Sequence, residues 1–269
     1  MTTTMEGRVA IITGSAAGIG AAIARELSSR GASIILSYPF PKMEETCKEV
    51  GNSLKTPWIA VCADLSTAEG PTQLVAAAVS EFKYIDILVH NAAHFGSGLT
   101  EALTAESWDI TFAVNVRGTF LLTQAVLPHL RPYTFQAEPP LTGTPGGSRI
   151  ICISSGSCRA PQCQPNVLAY AATKGAVETM IKVWARELTP VYGCTVNGVS
   201  PGPTNTEAML SLPGFNAEVA HQAFGSATPC EGSLADPEDI SSTVAFLAEP
   251  KTKWINGEII MVNGGLITI

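Results

Sequence analysis

Tyr170 and Lys174 stand four residues apart in a stretch, 168–189, whose apolar stripe predicts a helix. Residues at i and i+4 share one helical face, so the phenol and the ammonium would point into the same cleft. A phenol has an ordinary pKa near ~10, and a cation held beside it favours the phenolate, bringing the group closer to the range useful for general acid–base work. The same spacing also suits a packed tyrosine and a solvated lysine, so the pair by itself does not decide. A second constellation lies near the start. Arg8 to Ile12 is a short β-branched run suited to a buried strand, and it leads into Thr13-Gly14-Ser15-Ala16-Ala17-Gly18-Ile19-Gly20 and then a good helix former from Ala21. Strand, glycine turn and helix form the context of a dinucleotide loop. Glycines 14, 18 and 20 allow a tight turn and close backbone approach to a pyrophosphate, which then sits at the helix N-terminus.

The elements that must position these groups alternate along the whole chain. Strands are predicted at 8–12, 33–37, 58–62, 85–89, 149–153, 194–199 and 258–262, with helices at 19–29, 42–53, 70–82, 105–130, 168–189 and 237–248. Such alternation predicts an α/β, doubly wound parallel sheet of about seven strands with helices on both faces, a single-domain Rossmann fold. No composition break divides the 269 residues, so one domain spans 1–269. The stretch 131–148 is rich in Pro, Gly and Thr and predicts a surface loop.

A net charge of −7 without a basic stripe argues against nucleic acid. The first residues lack the basic and apolar regions of a signal peptide, and no run is expected to approach a membrane span. The seven cysteines contain no C-x-x-C, and Cys62, Cys152 and Cys194 fall in or beside strands, where a thiol behaves as a small hydrophobe. The expectation is a cytoplasmic chain without disulfides or a metal. The four histidines show no ligand spacing. His94 is placed near a pocket, and His90 is expected to be a satisfied strand-end residue.

Thr-Gly-x-x-x-Gly-Ile-Gly at 13–20, Asn-Ala-Ala at 91–93, Asn115, Ser154-Ser155, Tyr170-x-x-x-Lys174 and Pro201-Gly202 occur in the order used by the short-chain dehydrogenases/reductases, and the chain resembles that family from about Glu6 to its end. That resemblance would make 6–130 mainly the cofactor-binding half and 149–269 the catalytic and substrate half. The resemblance assigns Gly14, Ser15, Gly18, Ile19 and Gly20 to the cofactor phosphates, and Asp64, Leu65, Asn91 and Ala92 to its adenosine end. Pro201, Gly202, Thr204 and Thr206 fall at the nicotinamide, where Lys174 would also hold the ribose. NADP is favoured over NAD because Ser37-Tyr38 ends the second strand without the acid that would repel a 2′-phosphate. Lys42 follows, although Ala17 and the residues just after Tyr38 lack the arginine common in NADP users.

The resemblance makes Ser155 the catalytic serine. Ser157 stays open, because the Ser155–Tyr170 spacing is longer than the common one, with the extra residues placed in 161–165. Asn115 would distort its helix and open a proton relay toward Lys174. The irregular segment 204–236 would cover the substrate with Met209, Leu210, Leu212, Phe215 and Phe224, and Phe95 would join the pocket. The implied activity is NADPH-dependent reduction of an apolar or aromatic ketone, as in fungal-type polyketide and naphthol reductases. A 3-oxoacyl thioester reductase is the alternative within the family, and a cofactor-binding protein with a non-redox or regulatory role the alternative outside it. The apolar tail 266–269 and the long helices suggest a homo-oligomer, a tetramer or dimer.

Overall fold

The computed structural model describes residues 4–131, 147–159, 166–211 and 216–268. The cofactor half is built from β1 (Val9–Ile12), α1 (Gly18–Ser29), β2 (Ser33–Tyr38), α2 (Glu44–Asn52), β3 (Trp58–Cys62), α3 (Glu69–Phe82), β4 (Ile87–His90), α4 (Ala105–Phe112) and α5 (Thr119–Val126). The catalytic half adds β5 (Ser148–Ile153), α6 (Leu168–Glu187), α7 (Thr189–Tyr192), β6 (Cys194–Pro201), α8 (Glu207–Leu210), α9 (Ala217–Ala223), α10 (Pro237–Ala248) and β7 (Ile259–Val262). All seven strands pair in parallel, in the order β3-β2-β1-β4-β5-β6-β7. The order reverses between β1 and β4, the switch point at whose carboxyl ends ligands bind in such sheets.

Both sheet faces are covered, so the central strands are continuously apolar rather than alternating. Successive residues still point to opposite faces. Ile12, Leu36 and Val89 pack with Leu27 of α1 and Val244 of α10, while Ile11, Leu88 and Ile150 pack with Leu74 of α3 and Ile181 of α6. At the amino end of the sheet two buried arginines replace apolar packing. Arg8 donates to Ala248 O and Gly147 O, both at 2.8 Å, and Arg149 donates to Glu249 O at 3.1 Å. Arg131 pairs with Asp86 at 2.7 Å and also donates to Gly7 O.

Several expectations need correction. The fourth strand begins at Ile87 rather than at 85, because Asp86 turns its carboxylate onto the Val9 N–H at 2.9 Å and onto Arg131. The helix expected over 105–130 is not continuous but is interrupted by a π-helical stretch, Ala113–Gly118, the distortion at Asn115 that the resemblance implied. Contrary to expectation, Ala105–His129, with a hydropathy of 1.3, is long and apolar enough to cross a membrane by length and composition; Leu122 and Val126 of this run are buried in the core under the sheet. Cys62 is exposed, being the last residue of edge strand β3, not a core thiol. The 204–236 segment is not simply irregular. It holds α8 and α9, started by Thr206 and Asn216, whose side chains accept from Met209 N and Val219 N. Most of the expected 131–148 loop, all of 161–165, and Leu212 and Phe215 lie outside the described residues.

Candidate active site

The glycine turn between β1 and α1 is locked against the end of β4. Gly14 has φ +64° and approaches Ala92 so closely that a Cβ would stand 2.9 Å from Ala92 Cα. A Cβ on Gly20 would run into the Gly14 carbonyl oxygen. Asn91 braces the turn, its Nδ2 donating to Thr13 O at 2.9 Å and Gly14 O at 3.1 Å. Thr13 Oγ1 accepts from the Asn91 and Ala92 N–H groups, both at 3.0 Å, a role the sequence reading missed. Ser15 ties the turn to β2, its Oγ accepting from Ser37 N at 2.8 Å. Ile19 is half-buried in the first turn of α1.

These features fit a dinucleotide. Ala17, the N-cap of α1, offers no side-chain acceptor to the first-turn N–H groups, and that turn carries no acid. They are therefore left to an anion such as a pyrophosphate. Tyr38 closes β2 with its ring in the core, and burial pushes its phenol pKa up, with Glu44 adding to the rise. Glu44 is paired with Lys48 at 2.8 Å. Asp64 Oδ1 accepts from Ser66 N at 2.8 Å, and Leu65 is buried beneath it.

The catalytic candidates converge at the carboxyl ends of β4, β5 and β6. Lys174 is 3 % exposed on α6, and its Nζ donates to Ile153 O at 2.6 Å and stands 5.5 Å from the Tyr170 ring centroid. Burial lowers its pKa to about 8. Burial also pushes the Tyr170 phenol up to about 12, against the pull of a hydrogen bond with Ser155. The expectation that Lys174 draws the phenol pKa down is thus not met in this geometry, because the ammonium faces the ring and a backbone carbonyl. At neutral pH the phenol is a protonated acid.

Ser155 and Ser157 sit together at the end of β5. Ser155 hydrogen-bonds Tyr170, and its Oγ also donates to Ser157 Oγ at 3.1 Å and accepts from Ser157 N at 3.2 Å. Ser154 is buried, as a strand-end residue should be, its Oγ donating to Glu178 Oε1 at 2.8 Å.

Asn115 is buried, not solvated. Its Oδ1 accepts from His94 N at 2.7 Å, and its Nδ2 donates to His94 O at 2.9 Å and Thr173 Oγ1 at 3.0 Å. It therefore pins the segment after β4 to the residue preceding Lys174. His94 Nδ1 sits 3.2 Å from Thr111 Oγ1. His90 is only half satisfied: Nε2 meets Thr123 Oγ1 at 2.8 Å, Nδ1 has no partner among the described residues, and burial drops its pKa to about 3.

Pro201 ends β6, and Gly202 passes against Asn263, whose Cα would lie 2.8 Å from a Cβ there. Thr204 Oγ1 donates to Gly202 O at 3.0 Å, and Thr206 packs its methyl on Gly18, bringing the segment after β6 against the glycine turn. Phe95 lies over Tyr170, ring centroids 4.8 Å apart. Of the expected lid, Met209 and Leu210 are half-buried and Phe224 is buried. No cluster of three or more metal-ligating side chains occurs among the described residues.

Comparison with known proteins gives a consistent picture. A family model described as enoyl-(acyl carrier protein) reductase matches residues 14–267. The short-chain dehydrogenase/reductase FrzI of a Cladobotryum species is 38% identical over 268 residues, covering 97% of this chain and 96% of that protein. Versicolorin reductase 1 of Aspergillus parasiticus is 31% identical, covering 97% of each. Among solved structures, a short-chain dehydrogenase of Burkholderia cenocepacia in complex with NADP superposes with a TM-score of 0.84 at 32% identity, covering 98% of this chain and 99% of that one.

Proposed function

The chain belongs to the short-chain dehydrogenase/reductase family and is an oxidoreductase, and from that premise we propose that it reduces a ketone to a secondary alcohol with NADPH. The observation that carries this reading is the Ser155–Tyr170 hydrogen bond beside the buried Lys174, at the end of a turn shaped for a dinucleotide. Bound cofactor supplies the hydride. Tyr170, protonated at neutral pH, gives its proton to the carbonyl oxygen, and Ser155 holds that oxygen beside the phenol as charge develops on it. Lys174 would hold the ribose of a bound cofactor and replace the proton that Tyr170 gives up. Asn115 fixes the Thr173–Lys174 turn from which that proton comes.

NADPH is favoured by the absence of an acid at the end of β2 and by a neighbour solved with NADP. An apolar or aromatic ketone is favoured by the Phe95 ring over Tyr170. Versicolorin reductase 1 and the hydroxynaphthalene reductase-like protein Arp2 of Metarhizium acridum, 32% identical over 278 residues, point the same way. The description of the matching family model supports a thioester substrate as the second reading. The six described cysteines are free thiols, in keeping with a cytoplasmic setting.

The test is loss of NADPH or NADH absorbance with a panel of aromatic ketones and 3-oxoacyl thioesters, for wild type and Tyr170→Phe. The variant should keep cofactor binding and lose about 10²–10⁴-fold in turnover. Near-wild-type turnover in Tyr170→Phe would overturn the mechanism.

A further inference from the structure

A third polar residue continues the face of α6 that presents Tyr170 and Lys174. Glu178 follows at the next i+4 step and is 9% exposed. A carboxylate taken this far from water is costly unless donors, at least one of them charged, surround it. Glu178 Oε1 accepts from Ser154 Oγ at 2.8 Å and Arg159 Nε at 3.0 Å, and Cys158 Sγ lies 3.5 Å away. These donors bracket the Ser155–Ser157 turn, one before it and two after. Cys158 Sγ also lies 3.1 Å from Ser155 O, closing the turn from within. On the other side the chain's own tail supports it, since a Cβ on Gly156 would stand 2.9 Å from Ile267 Cδ1.

We propose that Glu178 is the positioning residue of the catalytic serine: it clamps both flanks of the 154–159 turn to α6, the helix that carries Tyr170 and Lys174, and so fixes Ser155 Oγ relative to the phenol. The inference rests on the role given to Ser155 above. Glu178 acts through the turn. Its removal strands the Arg159 charge and the Ser154 hydroxyl, and the turn shifts to find other partners. Glu178→Gln keeps an oxygen acceptor in the same place and loses only the charge.

The experiment is a double-mutant cycle on kcat, with KM read alongside, together with amide hydrogen exchange. Glu178→Ala should lower kcat by about 10- to 100-fold, the scale of an ångström misplacement of a catalytic group. KM for the cofactor should stay unchanged, and Glu178→Gln should recover most of the loss. In a Ser155→Ala background Glu178→Ala should cost nothing further, because its effect passes through that hydroxyl. Exchange at the Cys158 and Arg159 amides, which are bonded to Ser155 O and Gly156 O, should accelerate while β5 stays protected. Ser154→Ala removes one donor and leaves the ion pair, so it carries the same cycle at smaller amplitude even if Glu178→Ala does not fold. Losses that multiply in the double variant, or unchanged exchange in the turn, overturn the inference. An unchanged kcat in Glu178→Ala beside a crippled Ser155→Ala overturns it alone, whereas an unchanged kcat in Ser155→Ala overturns the role of the serine as well.

Discussion

Replacing Lys174 by methionine should abolish turnover and yet make the protein more stable at neutral pH. The ammonium is 3 % exposed, and the hydrogen bond that holds it is to Ile153 O at 2.6 Å. Burial lowers its pKa from an ordinary 10.5 to about 8, a fall that the nearby Cys152 and Cys158 only partly oppose. Between those two values the unfolded chain binds the proton and the folded chain does not, so stability rises with pH across that window. The penalty is fully present below about pH 8 and gone above about 10.5. At about 1.36 kcal/mol for each factor of ten, it amounts to about 3 kcal/mol at pH 7. Roughly 2 kcal/mol of it should be relieved on going to pH 9.5. Urea unfolding of wild type and variant at both pH values reads this lysine, because titrating groups not coupled to it cancel in the difference. The variant should be the more stable by up to about 3 kcal/mol at pH 7, less what the lost Ile153 bond contributed, with the gap shrinking by about 2 kcal/mol at the higher pH. A gap that stays constant or widens with pH refutes the reasoning.

Ser155→Ala should cripple turnover while Ser157→Ala remains mild, since Ser155 hydrogen-bonds the phenol; steady-state kinetics in the opposite ranking would move the catalytic role two places along the chain. Tyr38→Asp should shift preference toward NADH by repelling a 2′-phosphate and pairing with a free ribose hydroxyl, and a wild type already far better with NADH would overturn the choice of cofactor. A homo-oligomer of closed two-fold symmetry is expected from apolar side chains left exposed on α4, α5 and α6, among them Trp108, Phe120 and Val183. Light scattering coupled to size exclusion should read a multiple of 28.1 kDa, and a monomer mass at micromolar concentration would sink this expectation.

Strands were legible because a parallel sheet covered on both faces needs unbroken apolar runs, and 149–153 or 194–199 admit few other readings. The glycine turn was equally legible, since its close approaches leave no room for side chains. What the sequence hid depends on partners far along the chain. The resemblance implied the distortion at Asn115, but not its bonds to His94 and Thr173, residues on two other segments. The helices α8 and α9 were obscured by the Pro and Gly around them, although Thr206 and Asn216 are ordinary capping residues three positions before the N–H groups they accept from. The apolar tail was read as part of an interface; in the folded chain Leu266 and Ile267 are half-buried, with Ile267 O accepting from Asn263 Nδ2 at 2.9 Å, contacts that spacing alone did not show. Glu178 had a signal in its spacing from Tyr170 and Lys174, but its partners reach it from a turn about twenty residues upstream.

The buried arginines at the far end of the sheet bear on how this chain tolerates change. Arg131 is held by Asp86 and Gly7 O, and Gly147 O is held by Arg8, so the residues flanking 132–146 are both moored to one rigid base. Removing either arginine leaves buried backbone or carboxylate acceptors at this base without a donor, a loss of about 1–3 kcal/mol for each group left unsatisfied. The site of chemistry lies at the opposite ends of the same strands. Substitutions at Arg8 or Arg131 should therefore lower stability while leaving turnover at the opposite end of the sheet little changed.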